Sequence, residues 1–127
     1  MIRTLDIPRD LQAPARARTE LDSLRGTLTE QTFNDTRLLL SELVTNSVRH
    51  GAGDEVRIVL DVRGDDHVRC EVVDDGDGFV PTARTKPDTE AGGWGLALVE
   101  RLSAEWGVRE GSTHVWFELR PAGREPA

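Results

Sequence analysis

Residues 55 to 73, "EVRIVLDVRGDDHVRCEVV", constrain the fold of this chain more than any other stretch. Val56, Ile58, Leu60 and Val62 fall at every second position, and Val68, Cys70 and Val72 do so again after a short break. A period of two puts each set on one face of a strand, and that face must be buried. Between the two runs "RGDD" supplies turn residues, so the strands are predicted to pair as a hairpin. Two strands alone cannot cover their own apolar face, so the flanking segments must do it.

Those segments read as helices. "APARARTELDSLRGTL" spaces Ala17, Leu21, Leu24 and Leu28 at helical intervals, with Pro14 suited to a first turn and Gly26 to a stop. A second helix is predicted from Thr29 or Thr32 to His50, ending at Gly51. Ahead of both, "TLDIP" predicts a short edge strand that ends at Pro8. "VPTARTKPDTEAGG" has two prolines and no periodicity, which predicts a loop. "WGLALVERLSAEW" reads as a third helix, and "HVWFEL" as a closing strand with Val115, Phe117 and Leu119 inward. The order predicts an α+β fold: a two-layer α/β sandwich whose mixed, mostly antiparallel sheet is covered on one face by about three helices. Residues 1–127 read as a single domain with its core at about 8–119, since no internal repeat or linker interrupts them.

Composition excludes several functions. A net charge of −7 argues against binding nucleic acid through its phosphates. No apolar run is long enough to span a membrane, and "MIRTLDIPRD" lacks the apolar stretch of a signal peptide, so a cytoplasmic protein is expected. Cys70 is the only cysteine and there are three scattered histidines, which rules out an internal disulfide and a tetrahedral zinc cage. Cys70 alternates with Val68 and Val72 and reads as a small buried hydrophobe.

Three polar clusters break these local patterns. In "SELVTNSVRHG", Leu40, Leu43, Val44, Ser47 and Val48 share one helix face, and Asp35, Glu42, Asn46 and Arg49 line the other. That second face is either a solvated one or a site. As a site, Asn46 offers a neutral oxygen to a hard cation such as Mg²⁺, which keeps its waters and takes few protein ligands. Glu42, one turn earlier, is then placed to hold a hydroxyl nucleophile and take its proton. The second cluster, "DDGDGF", follows an apolar strand directly. Asp74 at the strand's end is an acceptor-only carboxylate suited to the exocyclic amine of adenine, with Gly76 and Gly78 permitting close approach of a flat ligand. The third, "GGWGL", opens a helix with Gly93, Gly95 and Leu96, where free amides make an anion site. Together they describe an ATP site without a P-loop, and Lys86 stands in no glycine-rich strand-to-helix turn.

With these residues in order, the chain resembles the GHKL-type ATPases, the superfamily of gyrase, MutL and histidine-kinase catalytic domains. "ELVTNSVRHG" is similar to the N box, "DDGDGF" to the D-x-G-x-G box and "GGWGLALV" to the G-x-G-L box, over roughly residues 15 to 119. Within the superfamily, "WGLALVERLSAEWGV" and "VWFEL" resemble the small stand-alone anti-sigma-factor serine kinases. The resemblance implies a Bergerat fold with ATP and Mg²⁺ between the helices and a short lid. It also implies phosphoryl transfer to a serine of an anti-sigma-factor antagonist, and sequestration of a sigma factor. Carried over by residue, Glu42 is the general base, Asn46 the Mg²⁺ ligand and Asp74 the adenine contact. Gly76 and Gly78 form the turn around the base, and Gly93, Gly95 and Leu96 the phosphate side. Relatives usually enter the closing strand as Gly-x-Thr-Val-Trp, whereas "GSTHVWF" puts His114 before Val115, so Thr113 stands in for the phosphate contact. A homodimer through the sheet or the first helix follows by analogy only. The alternative is a non-catalytic ATP-binding module that acts by partner sequestration, and an intact Glu42 speaks against it.

Overall fold

The computed structural model describes residues 1–64, 66–76, 102–103, 105–108 and 115–120. In chain order these form β1 (Ile2–Pro8), α1 (Ala13–Leu21), α2 (Glu30–His50), β2 (Glu55–Val62), β3 (Val68–Val73), β4 (Glu105–Val108) and β5 (Val115–Leu119). Among the described residues the sheet has five strands in the order β1-β2-β3-β5-β4. Every pairing among the described strands is antiparallel, so the mixed sheet expected from the sequence is here an antiparallel one.

The hairpin forms as its pattern requires. Ile58 stands opposite Val72 and Leu60 opposite Cys70, and all four are buried on the helix-facing side. Its turn passes through Gly64 (φ +80°) and Asp66 (φ +66°), a left-handed conformation that aspartate tolerates better than most residues. The Asp66 carboxylate then reaches the start of α2. It accepts from the Thr29 N–H at 2.8 Å, from Thr29 Oγ1 at 2.6 Å and from Thr32 Oγ1. Thr29 is itself the helix N-cap, its hydroxyl accepting from the Thr32 N–H at 3.2 Å. Burial pushes the Asp66 carboxyl up, but the Thr29 and Thr32 hydrogen bonds outweigh it and hold it below its ordinary value.

On the covered face of the sheet, α2 lies against β3 and β5, burying Phe33, Leu40, Leu43, Val44 and Ser47. Their i, i+3, i+4 spacing is one stripe of a 3.6-residue helix. Against α2 packs α1, whose buried Ala13 and Ala17 leave little bulk between the two backbones. The chain leaves α1 through a 3₁₀ turn at Asp22–Leu24 and reverses at Gly26, where φ is +86°.

The far end corrects one expectation. The third helix was expected to run on to Trp106, but Glu105 and Trp106 belong to β4. Trp106 stands opposite Phe117 and packs against the core, while Gly107 leaves room for the Trp116 ring, whose Nε1 would lie 2.9 Å from a Cβ there. The rest of that helix lies outside the described residues, save Leu102, which is helical and packs on the core, and Ser103, which is not helical. In the closing strand Val115, Phe117 and Leu119 are buried as the alternation predicts. Glu118, on the opposite face, is also buried, beneath His67 at 3.1 Å and Arg69 at 3.2 Å. Among the described residues no helix is long and apolar enough to cross a membrane.

Candidate functional site

The site begins where α2 ends. The helix closes with the Gly51 N–H donating to the Ser47 carbonyl at 2.8 Å. At Gly51 φ is −85°, a conformation open to any residue, so the backbone alone does not require the predicted helix-ending glycine. The requirement comes from Asp74. A Cβ on Gly51 would overlap the Asp74 carboxylate, lying 2.5 Å from its Cγ and closer still to Oδ2.

Asp74 follows directly on β3 and is 8% exposed. Its Oδ2 accepts from the Ser47 hydroxyl, and its Oδ1 from the Gly76 N–H at 2.7 Å and the Ala52 N–H at 3.3 Å. A carboxylate buried this far needs hydrogen-bond donors in place of the water it has lost. Three donors from three segments also fix the direction of its lone pairs. The loop and the turn interlock further: the Asp75 N–H donates to the Ala52 carbonyl at 3.0 Å. At Gly53, φ is +93° and a Cβ would lie 2.5 Å from Asp75 Oδ2. Each of these two glycines makes room for one aspartate.

Of the residues singled out in the sequence, Glu42, Asn46, Asp74 and Gly76 are described. Gly78, Gly93, Gly95, Leu96 and Thr113 lie outside the described residues. Asn46 adjoins Ser47, and Glu42 is one turn earlier; both are half-buried. Neither side chain makes a hydrogen bond or ion pair with a described residue. The structure therefore brings the end of α2, through Ser47, to the carboxylate of Asp74. A separate groove of about 410 Å³ between α1 and α2 is lined by Arg18, Asn34, Arg37, Leu38 and Ser41, and neither Glu42 nor Asp74 lines it.

Ser47, Gly51, Ala52 and Gly53 belong to this site and were not singled out for it. Ser47 was placed correctly on the core face, but its hydroxyl serves Asp74. One signal was present: "GAG" at 51–53 repeats the glycine spacing of "GDG" at 76–78, and at 51 and 53 the glycines make room for Asp74 and Asp75.

The model of the histidine kinase-like ATPase domain matches residues 7–119, a span that includes α2, Asp74 and the closing strand. This chain belongs to that family. It is an ATP-binding domain of the GHKL type. Over 96% of its length this histidine kinase-like ATPase domain is also similar to the crystal structure of the RsbU and RsbW domains of Rv1364c from Mycobacterium tuberculosis, with a TM-score of 0.68 and 24% identity. It spans 33% of that chain, and at this identity the likeness shows the fold alone. No curated protein matches the chain.

Proposed function

We propose that this domain binds Mg-ATP, transfers the γ-phosphoryl group to a serine of an anti-sigma-factor antagonist, and sequesters a sigma factor. The observation that carries the reading is the Asp74 carboxylate, buried and held by Ser47, Ala52 and Gly76. So held, it stays an acceptor with fixed lone pairs, which suits a ligand edge presenting only donor hydrogens, as the 6-amino group of adenine does. The family match supports ATP as that ligand. The partner classes rest on the sequence resemblance to stand-alone anti-sigma-factor kinases and on the RsbW domain named in the similar structure.

In this reading Glu42 takes the proton of the attacking serine hydroxyl. Gly76 and Gly78 admit the base, and Gly93, Gly95, Leu96 and Thr113 take the phosphate side. The residues present fit a magnesium ion: Asn46 offers a half-buried carboxamide oxygen with no partner among the described residues, one turn from a carboxylate. Mg²⁺ keeps its waters and takes few protein ligands, so one carboxamide oxygen beside the phosphates can suffice. When bound, such an ion neutralises charge on the phosphate oxygens.

The test follows γ-labelled ATP with candidate antagonist proteins. Glu42→Ala is expected to bind ATP and lose transfer, and label reaching the serine at the wild-type rate would remove the role of Glu42. Affinity capture from lysate with and without ATP identifies the partners. A wild-type chain that holds ATP and a partner without turnover is instead the non-catalytic module.

A further inference from the structure

We infer that Arg9 is a positioning residue for nucleotide recognition, tying the last turn of α2 to loop 51–54 and so setting the direction of the Asp74 carboxylate. The inference rests on the ATP-contacting role proposed for Asp74.

Arg9 lies one residue beyond β1 and is half-buried. Its Nε donates to the Gly53 carbonyl at 2.7 Å. Nη1 donates to the Ser47 carbonyl at 3.0 Å and the Val48 carbonyl at 3.1 Å. Its own N–H donates to the Asp54 carbonyl at 2.8 Å. The Val48 carbonyl is among the last of the helix, which lack intrahelical partners, whereas the Ser47 carbonyl already accepts from the Gly51 N–H and takes Arg9 as a second donor; a cation there also meets the negative end of the helix dipole. Those contacts would stabilise α2 wherever it lay. The side of the fork that reaches Gly53 does something different, because it joins the helix end to a second segment.

Those two segments supply two of the donors that reach Asp74 from the described residues. Ser47 Oγ comes from the helix end, and the Ala52 N–H comes from the loop. Arg9 bonds the Ser47 carbonyl on one side and the carbonyl next to Ala52 on the other. A planar fork with divergent donors spans the two at once, whereas an ammonium is a single point at the end of a flexible stem. Without the fork the helix end and the loop separate, the Ser47 and Ala52 donors no longer converge, and the carboxylate loses its direction. Arg9 needs no contact with nucleotide for this.

The test measures binding of ATP and of inosine triphosphate, which lacks the 6-amino group, to the full chain by titration calorimetry. Wild type, Arg9→Met and Arg9→Lys are compared. Arg9→Met is expected to weaken ATP about tenfold, with inosine triphosphate nearly unchanged. Selectivity for the amine then narrows, with Arg9→Lys between the two. A residue that only stabilised the fold would leave selectivity where it was, so wild-type selectivity in both variants overturns the inference, as does an equal loss for both nucleotides. Should Arg9→Met fail to fold, Arg9→Lys decides alone on the same criterion. A wild-type chain that does not distinguish the two nucleotides overturns the Asp74 reading itself, and the clamp with it.

Discussion

Gly51 and Asp74 meet so closely that the site has room for no side chain at position 51: a Cβ there would lie 2.6 Å from the Ser47 carbonyl and 2.5 Å from the Asp74 Cγ. Position 51 is the C-cap of α2, and the glycine there opens the space into which the strand-end carboxylate fits beside the helix. Helix end and β3 end are thereby held at one separation, which is what a site built from both requires.

Gly51→Ala should therefore act on binding and stability together. The added methyl meets a helical carbonyl and a carboxylate held by Ser47, Ala52 and Gly76, none of which is the free end of a flexible chain. Overpacking of this kind costs about 1–3 kcal/mol. Denaturant titration should show that loss, and ATP affinity should fall with it. Wild-type affinity in a folded Gly51→Ala would mean that the Asp74 carboxylate can move without consequence.

Asp74→Asn tests the carboxylate directly, and the geometry says which atom changes. Oδ1 faces two backbone N–H groups, from Gly76 and Ala52, so an amide must keep its oxygen there. The NH₂ then takes the place of Oδ2 and turns to Ser47, whose hydroxyl can accept as well as donate. The fold survives, but an acceptor has become a donor. ATP affinity is expected to drop at least about tenfold with thermal stability little changed; calorimetry reads the first and a melting curve the second. Unchanged affinity would remove Asp74 from adenine recognition.

How much of this was legible depends on whether the signal was local. Alternation at 56–62 and 68–72 gave both central strands and their buried faces, because a one-residue slip would expose every apolar side chain. Of the two starts expected for α2, Thr29 is the N-cap and Thr32 lies two residues inside the helix, while Gly51 marked its end. Trp106 misled because it extends the helical spacing of Val99 and Leu102, and only pairing with β5 makes it a strand residue. In the site, Asp74 stood out as a carboxylate closing an apolar strand. Its partners did not, since Ser47 is 27 residues away and Ala52 contributes a backbone N–H, which has no side-chain signature.

Cys70 is fully buried opposite Leu60, and burial pushes its thiol well above the ordinary range. The thiolate is the reactive form, so the folded chain should resist thiol reagents at neutral pH. Labelling with a disulfide reagent is expected to follow global unfolding, accelerating in step with denaturant. Rapid stoichiometric labelling of the native chain would show that the β2–β3–β5 core opens locally.

Asp66 links acid stability to the hairpin tip. Burial would raise its carboxyl, but the Thr29 and Thr32 hydrogen bonds outweigh that and hold it below the ordinary aspartate range. A depressed carboxyl contributes stability that is complete above its unfolded value and is lost as pH falls through the folded one. At neutral pH, Asp66→Asn keeps the tolerated left-handed backbone but gives up an ionised acceptor serving three donors, at a cost of about 1 kcal/mol. As pH falls below about 4, the wild type gives up the same contribution, so the two stability curves should converge. Urea titrations of both proteins from pH 7 downward read this out. A gap that stays constant, or widens in acid, would mean that the carboxylate at the hairpin tip does not hold the start of α2 through its charge.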